Sequence, residues 1–324
     1  VQYARWQGVL VRASSGGRRG WAGLTFEPNF ALSAGVRPYR ARRHAKPINR
    51  EPMGGLGAGP PARQATRIAV IVSLAHGIND AYASFVPPLL PRIMDNMGLS
   101  IASAATLSVT YAIAASLPQP LFGYLSDRFG RRAFAVAGPL VGAAFIGAIG
   151  FASSYWVLVL FLLIAGMGSA AFHPPGASYA VRVGEGKGGG TRYSIFSFGG
   201  SAGFALGPLI AVGLVQWGGM ERLWVAIIPA AVIMPIFFFG LPSGRAEAKI
   251  AKRPPPPGTV LRHLAGPLGL IFGISATMAF VQRAFLTMEP IIIADLGGSE
   301  GLGALALTIY LGAQAFGTVT GGVL

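Results

Sequence analysis

The chain has no cysteine, and only 11 of its 324 residues are Asp or Glu, against 26 Lys and Arg. Without cysteine there is no disulfide, no thiolate nucleophile and no thiolate-ligated metal. Charge of either sign is scarce: 11% of residues are charged, against about 25% in an average soluble domain. The scarcity is also unevenly spread. No charged residue occurs from Asn96 to Ser126, and none from Ala133 to Ala180. Stretches of that length without charge exclude a water-exposed globular surface. With 52% hydrophobic residues and a mean hydropathy of +0.56, the chain reads as a polytopic membrane protein. Its 47 glycines and 24 prolines suit helices that pack closely and kink within a bilayer.

The net charge of +15 has a local origin: residues 1–66 hold 11 of the basic residues and 2 of the acidic ones. A basic pI therefore reflects this tail and the inner loops, and nucleic acid is not an expected partner. Residues 1–66 lack an apolar run long enough to span a bilayer and do not read as a secretory signal. They read as a disordered basic tail, for which anionic lipid is one partner. The simpler account is that they lie upstream of the native start, since Met53 opens a short polar lead into the first span.

From Arg67 the pattern is regular. Spans are expected at 67–91, 101–122, 133–151, 155–181, 193–216, 223–241, 264–287 (extending to 294) and 302–324. Each has roughly the 17–25 apolar residues a bilayer core requires. The connections between them alternate in charge. Arg128, Arg131 and Arg132 lie in the second, Arg182, Lys187 and Arg192 in the fourth, and Arg245, Lys249, Lys252, Arg253 and Arg262 in the sixth. The odd connections hold few charges, so the basic loops and the amino terminus are expected in the cytoplasm.

The sixth connection, 242–263, contains Pro254-Pro255-Pro256-Pro257 and reads as a stiff, solvated linker. It divides a six-helix bundle at 67–241 from two helices at 264–324. Tyr111 and Gly123 recur 199 positions later as Tyr310 and Gly322, a weak internal repeat. The expected architecture is an all-α membrane fold cut short, with a six-helix half and two helices of an incomplete second bundle.

Ionisable groups inside spans are costly and usually functional. Span one carries His76, Asn79 and Asp80. His76 and Asp80 are four apart and share a helix face. Span four carries Phe172-His173-Pro174-Pro175. His76 and His173 each lie about nine residues, roughly 14 Å, from the inner end of their spans. The two histidines are therefore expected at matching depth, and the paired prolines to break span four and free backbone carbonyls there. Arg283 lies near the outer end of span seven, where a basic side chain can snorkel. Gln119 completes the polar set assigned to a cavity. In span five, Gly203 and Gly207 allow close helix contact and Pro208 adds a bend.

The stretch Gly123-Tyr124-Leu125-Ser126-Asp127-Arg128-Phe129-Gly130-Arg131-Arg132 is read as a tight basic turn between spans two and three. Both glycines would permit the turn, with Asp127 capping the next helix or pairing with an arginine. This stretch resembles the loop between the second and third helices of the major facilitator superfamily. Together with His76-x-x-Asn79-Asp80, Phe172-His173-Pro174 and Ser194-Ile195-Phe196…Gly199-Gly200…Leu206-Gly207-Pro208-Leu209, it is similar to the fosmidomycin resistance group of that superfamily.

The resemblance covers about residues 67–324. It implies a monomeric, bacterial inner-membrane transporter with two six-helix halves around a central cavity. Into that cavity map His76, Asn79, Asp80 and His173, while the basic stretch with Gly203, Gly207 and Pro208 serves conformational change. Pro175 stands where such sequences often have a glutamate, Leu162 where drug antiporters carry an arginine, and Ala211-Val212 where a glycine pair is usual.

The functional expectation is proton-coupled efflux of a small molecule. Its partners are substrate, protons and lipid, with no cofactor and no metal. A metabolite importer of the same fold is the main alternative. A membrane enzyme using His76-x-x-x-Asp80 as base is the other, although the pair sits on one transmembrane helix with no nucleophile beside it.

Overall fold

The computed structural model describes residues 61–183, 189–241 and 266–321, all within the unit Gly55–Leu324. The tail 1–60, Lys187 and the linker 242–263 fall outside the described residues. Among those described, the regular elements are α-helices with two short 3-10 turns, Ile149–Phe151 and Met220–Ala226. The helices are α1 (Ala62–Ala83), α2 (Val86–Met97), α3 (Ile101–Ser116), α4 (Gln119–Phe129) and α5 (Arg131–Ala148). They continue with α6 (Tyr155–Val183), α7 (Gly189–Gly218), α8 (Ile227–Gly240), α9 (Pro267–Asp295) and α10 (Glu300–Gly321).

Seven segments built from these helices are long and apolar enough to cross a membrane: 63–97, 101–129, 131–151, 155–182, 190–218, 220–240 and 269–295. The expected eighth span falls on α10, whose 22 residues would reach about 33 Å. Large apolar side chains cover the outside. Leu117, Trp156, Phe239 and Phe280 are 75–82% exposed, as suits a lipid-facing surface.

Four local expectations are revised. Helix α1 starts at Ala62, so the tail boundary at 66 cuts into it. The first span, expected to end at 91, is interrupted at Ser84 and Phe85 and then restarts. Pro87 and Pro88 occupy the first turn of α2, where a missing N–H costs nothing, and the first span runs on to Met97. The basic stretch is not a loop. Helix α4 continues to Phe129, with Gly123 inside it, facing the ring of Pro174 in α6. The turn is made by Gly130 alone, whose φ of 116° is open to glycine. Asp127 pairs with Arg131 across that turn at 2.7 Å and does not cap α5. Finally, α6 runs unbroken through Pro174 and Pro175. Membrane helices tolerate proline where neighbouring helices and side chains satisfy the freed carbonyls.

Packing rests on glycine faces. Along α7, Gly199, Gly203 and Gly207 lie against Ser73, Gly77 and Ser84 of α1, and a Cβ on Gly77 would sit 2.9 Å from the carbonyl oxygen of Gly199. Ser73 Oγ adds a hydrogen bond to the Ile195 carbonyl at 2.7 Å. Small residues four apart allow this backbone approach, which drives helix association in lipid. The same device joins α5 to α6, where a Cβ on Gly138 would meet the Gly168 carbonyl at 2.6 Å. Phe85, Leu89, Leu107, Ile146, Leu162 and Phe172 fill the core of the first eight helices. A second, smaller cluster of Ala205, Leu286, Leu307 and Leu311 joins α7 to α9 and α10.

Candidate functional site

Where the two clusters face each other they leave a cavity of about 450 Å3. Its wall takes His76 and Asp80 from α1, Tyr111 from α3, Gln119 from α4, and Ser169 and His173 from α6. Phe196 and Ser201 come from α7, Gln282 and Arg283 from α9, and Gln314 from α10. The wall extends toward Tyr193, near the start of α7, which follows the basic fourth connection.

The histidines expected at one depth do meet. Their ring centroids are 5.4 Å apart, edge to face. Asp80 lies between them, with Oδ2 3.1 Å from His76 Nε2 and Oδ1 3.6 Å from His173 Nε2. The local sequence builds this arrangement. A spacing of four stacks His76 over Asp80 on α1. The glycines at 199 and 200 let α7 come close enough for the His76 ring to stack on Phe196 at 4.3 Å. Asn79 is nearly fully buried behind the pair, and its amide donates to Asp80 Oδ1 at 2.9 Å and Ser169 Oγ at 3.0 Å.

One contact fixes the state of the ring. His76 Nδ1 lies 3.0 Å from the Phe196 carbonyl oxygen, which can only accept, so Nδ1 carries a hydrogen. In a neutral ring Nε2 is then a bare lone pair, facing a carboxylate oxygen at 3.1 Å. Two acceptors at that distance repel, so the contact is attractive only when a cation sits between them. In the simplest case that cation is one proton, shared by His76 and Asp80. A divalent ion is the other, since a ligand atom from each of His76, Asp80 and His173 can be found with all three within 4.8 Å.

The remaining expected residues separate into two groups. Gln119 lines the cavity, its amide donating to the Ala115 carbonyl at 2.9 Å. Arg283 also lines it, so the outward-snorkelling alternative does not describe its position. Asp127, Arg128, Arg131 and Arg132 are absent from the cavity wall, at the basic end of the bundle. There Arg128 contacts the Tyr124 hydroxyl at 3.2 Å, and Arg132 lies over the Phe238 ring at 4.1 Å, tying the start of α5 to the end of α8.

Several features escaped the sequence reading. Arg92 and Glu300, 208 residues apart in the chain, form a bidentate pair at 2.6 and 2.7 Å that joins α2 to the start of α10. Gln282 and Gln314 hydrogen-bond across α9 and α10. Glu289 in α9 is an in-span carboxylate whose oxygens are shielded and have no hydrogen-bond partner among the described residues. Its signal, a lone acid inside an apolar run, was present in the sequence.

A hydrolytic relay does not fit. Ser169 Oγ, at 3.3 Å, and Asp80 both face the same nitrogen of His173. A nucleophile–base–carboxylate relay needs them on opposite ring nitrogens.

Comparison with known proteins identifies the family. The sequence model of the Major Facilitator Superfamily matches residues 72–324. The fosmidomycin resistance protein of Escherichia coli (strain K12) is 28% identical over 283 residues, which is 84% of this chain and 68% of that protein. The multi-drug resistance efflux pump PmrA homolog of Lactococcus lactis subsp. lactis (strain IL1403) is 26% identical over 223 residues, 64% of this chain and 52% of the relative. Multidrug resistance protein MdtH of Shigella boydii serotype 4 (strain Sb227) is 28% identical over 134 residues, 40% of this chain and 33% of the relative. The chain thus spans about two thirds of the first relative's length and about half or less of the others. A family match over most of its length, with apolar helices around a polar cavity, makes this chain a member of the Major Facilitator Superfamily of transporters, resembling the fosmidomycin resistance group.

Proposed function

We propose that the protein exports a small molecule across the bacterial inner membrane in exchange for protons, with His76 and Asp80 carrying the proton. The observation that carries this reading is the His76–Asp80 contact, which is attractive only with a cation held in it, at the wall of a 450 Å3 cavity. A proton there can be lost to one side and replaced from the other when a rocking transporter exposes its midplane site alternately. His173, across Asp80, compensates the carboxylate when the proton leaves. The names of the relatives, a fosmidomycin resistance protein and two multidrug proteins, support export and make fosmidomycin the first compound to test.

The alternating charge of the loops supports an amino terminus in the cytoplasm. On that orientation the cavity leans inward, and the Arg92–Glu300 pair closes the outer end. Arg283 is the sole Lys or Arg on the cavity wall among the described residues, and its fixed charge suits an anionic group on the substrate.

The test is substrate-stimulated proton flux in proteoliposomes carrying the full-length protein. Asp80→Asn keeps the size and hydrogen bonding of the side chain but holds no exchangeable proton. It is expected to abolish pH-gradient-driven transport while retaining substrate exchange in the absence of a gradient. An Asp80→Asn protein that couples protons as well as the parent refutes the assignment.

A further inference from the structure

We infer that His76, Asp80 and His173 form a binding site for a borderline divalent transition-metal ion, of which Zn2+ is the best-fitting representative. This inference does not rest on the transport reading, because binding can be measured without transport.

The ligand set is two imidazoles and one carboxylate, a donor set of the kind zinc takes in sites that keep one position open. Zinc bonds of about 2.0–2.1 Å in a tetrahedron place neighbouring ligand atoms about 3.3 Å apart. The two measured separations, 3.1 Å from His76 Nε2 to Asp80 Oδ2 and 3.6 Å from His173 Nε2 to Asp80 Oδ1, bracket that value. Those separations run to different oxygens of Asp80, but one ligand atom of each residue, a single carboxylate oxygen included, can be chosen with all three within 4.8 Å of one another, so no edge has to close by more than about 1.5 Å.

The outer shell is already in place. Ligating histidines donate their other ring N–H to a carbonyl or carboxylate, as His76 Nδ1 does to Phe196 at 3.0 Å. That bond leaves the Nε2 lone pair aimed at the site. Ligating carboxylates are hydrogen-bonded in turn, as Asp80 Oδ1 is to Asn79 at 2.9 Å. The fourth position faces the cavity, where a water or Ser169 Oγ completes the tetrahedron, and the cavity supplies the entry path. Hard cations, which want oxygen ligands, fit this nitrogen-rich set poorly. Metal and proton therefore compete for the same electron pair on His76.

The probe is Co2+, titrated into the full chain purified in detergent and stripped with chelator. One equivalent per chain should give the intense visible band of four-coordinate cobalt, displaced by Zn2+ and unaffected by excess Mg2+ or Ca2+. Asn79→Ala should weaken binding by about 10- to 100-fold, and His173→Gln or Asp80→Asn at least as much. His44 and His263 lie outside the described residues, so these variants also assign the binding. A Zn2+-dependent rise in the melting temperature of the unmodified chain, absent with Mg2+, is expected in parallel and needs no variant. Cobalt that keeps the weak spectrum of the hydrated ion, or binds equally tightly in His173→Gln and Asp80→Asn, overturns the inference. So does an unmodified chain whose melting temperature ignores Zn2+.

Discussion

Replacing Glu300 with Gln removes one charge from the Arg92–Glu300 pair and almost nothing else. The pair is bidentate, at 2.6 and 2.7 Å, with the Arg92 side chain 38% and the Glu300 side chain 17% exposed. Hydrogen bonds to charged groups contribute about 1.5–3 kcal/mol, whereas a solvent-exposed ion pair gives about 0.2–1. Partial exposure puts this pair between those ranges, at about 1–2 kcal/mol. If the pair holds α2 against α10 in only one of two access states, its loss shifts their ratio by about 5- to 30-fold.

The assay uses the missing cysteines. Ser201→Cys on the cavity wall adds a single thiol to residues 1–324, so labelling of this segment by a membrane-impermeant maleimide reports on that position. Adding Glu300→Gln should raise its labelling rate from the outer face by that factor. The charge exchange Arg92→Glu with Glu300→Arg should restore the parental rate. Labelling of Glu300→Gln within twofold of the parent would mean the pair is not a latch and that α2 and α10 are held together by other contacts.

Other outcomes follow from the same structure. Gly203→Ala puts a methyl group into the carbonyl of Gly77, and overpacking of this kind costs about 1–3 kcal/mol. It should lower the melting temperature of the purified protein; an unchanged melting temperature would show that α1 and α7 can separate freely. Arg283→Gln should raise KM for an anionic substrate by about tenfold or more with kcat little changed, reflecting loss of a binding contact of about 1.4 kcal/mol; a pure kcat effect in transport assays would move Arg283 out of the substrate site. Single cysteines at Gly188 and Ser243 should label from the cytoplasm only, and one at Gly298 from outside only. Labelling of Gly188 from outside intact cells would reverse the orientation.

What the sequence disclosed, and what it hid, follows from the range of the forces involved. Spans were legible because a bilayer imposes length and apolarity on each segment independently of the others. The meeting of His76 and His173 was legible because each sits a countable distance from a basic span end. Bounds set by packing were not. Gly123 reads as a turn in sequence and is helical in the fold, packed against Pro174 of α6, a neighbour that no local pattern announces. Pro174 and Pro175 read as a break, but a proline interrupts a membrane helix only where nothing nearby satisfies the freed carbonyls. Arg92 and Glu300 stand 208 residues apart, and no periodicity links them. The tautomer of His76 rests on a backbone carbonyl of α7, which has no sequence signature at all.

The interruption at Ser84 and Phe85 separates α1, which carries Asp80, from α2, which carries Arg92. Pro87 and Pro88 remove two backbone donors there, so the joint is softer than a continuous helix. Arg92 lies eight residues beyond Ser84, a lever arm of about 12 Å. A tilt of about 10° at this fulcrum displaces Arg92 by about 2 Å, enough to carry hydrogen bonds of 2.6 and 2.7 Å past their useful range. Events at Asp80 would thus need no wire to reach the Arg92 end of the bundle. The first span is one helix jointed to another, and leverage alone would turn a change in what α1 grips into release of what α2 holds.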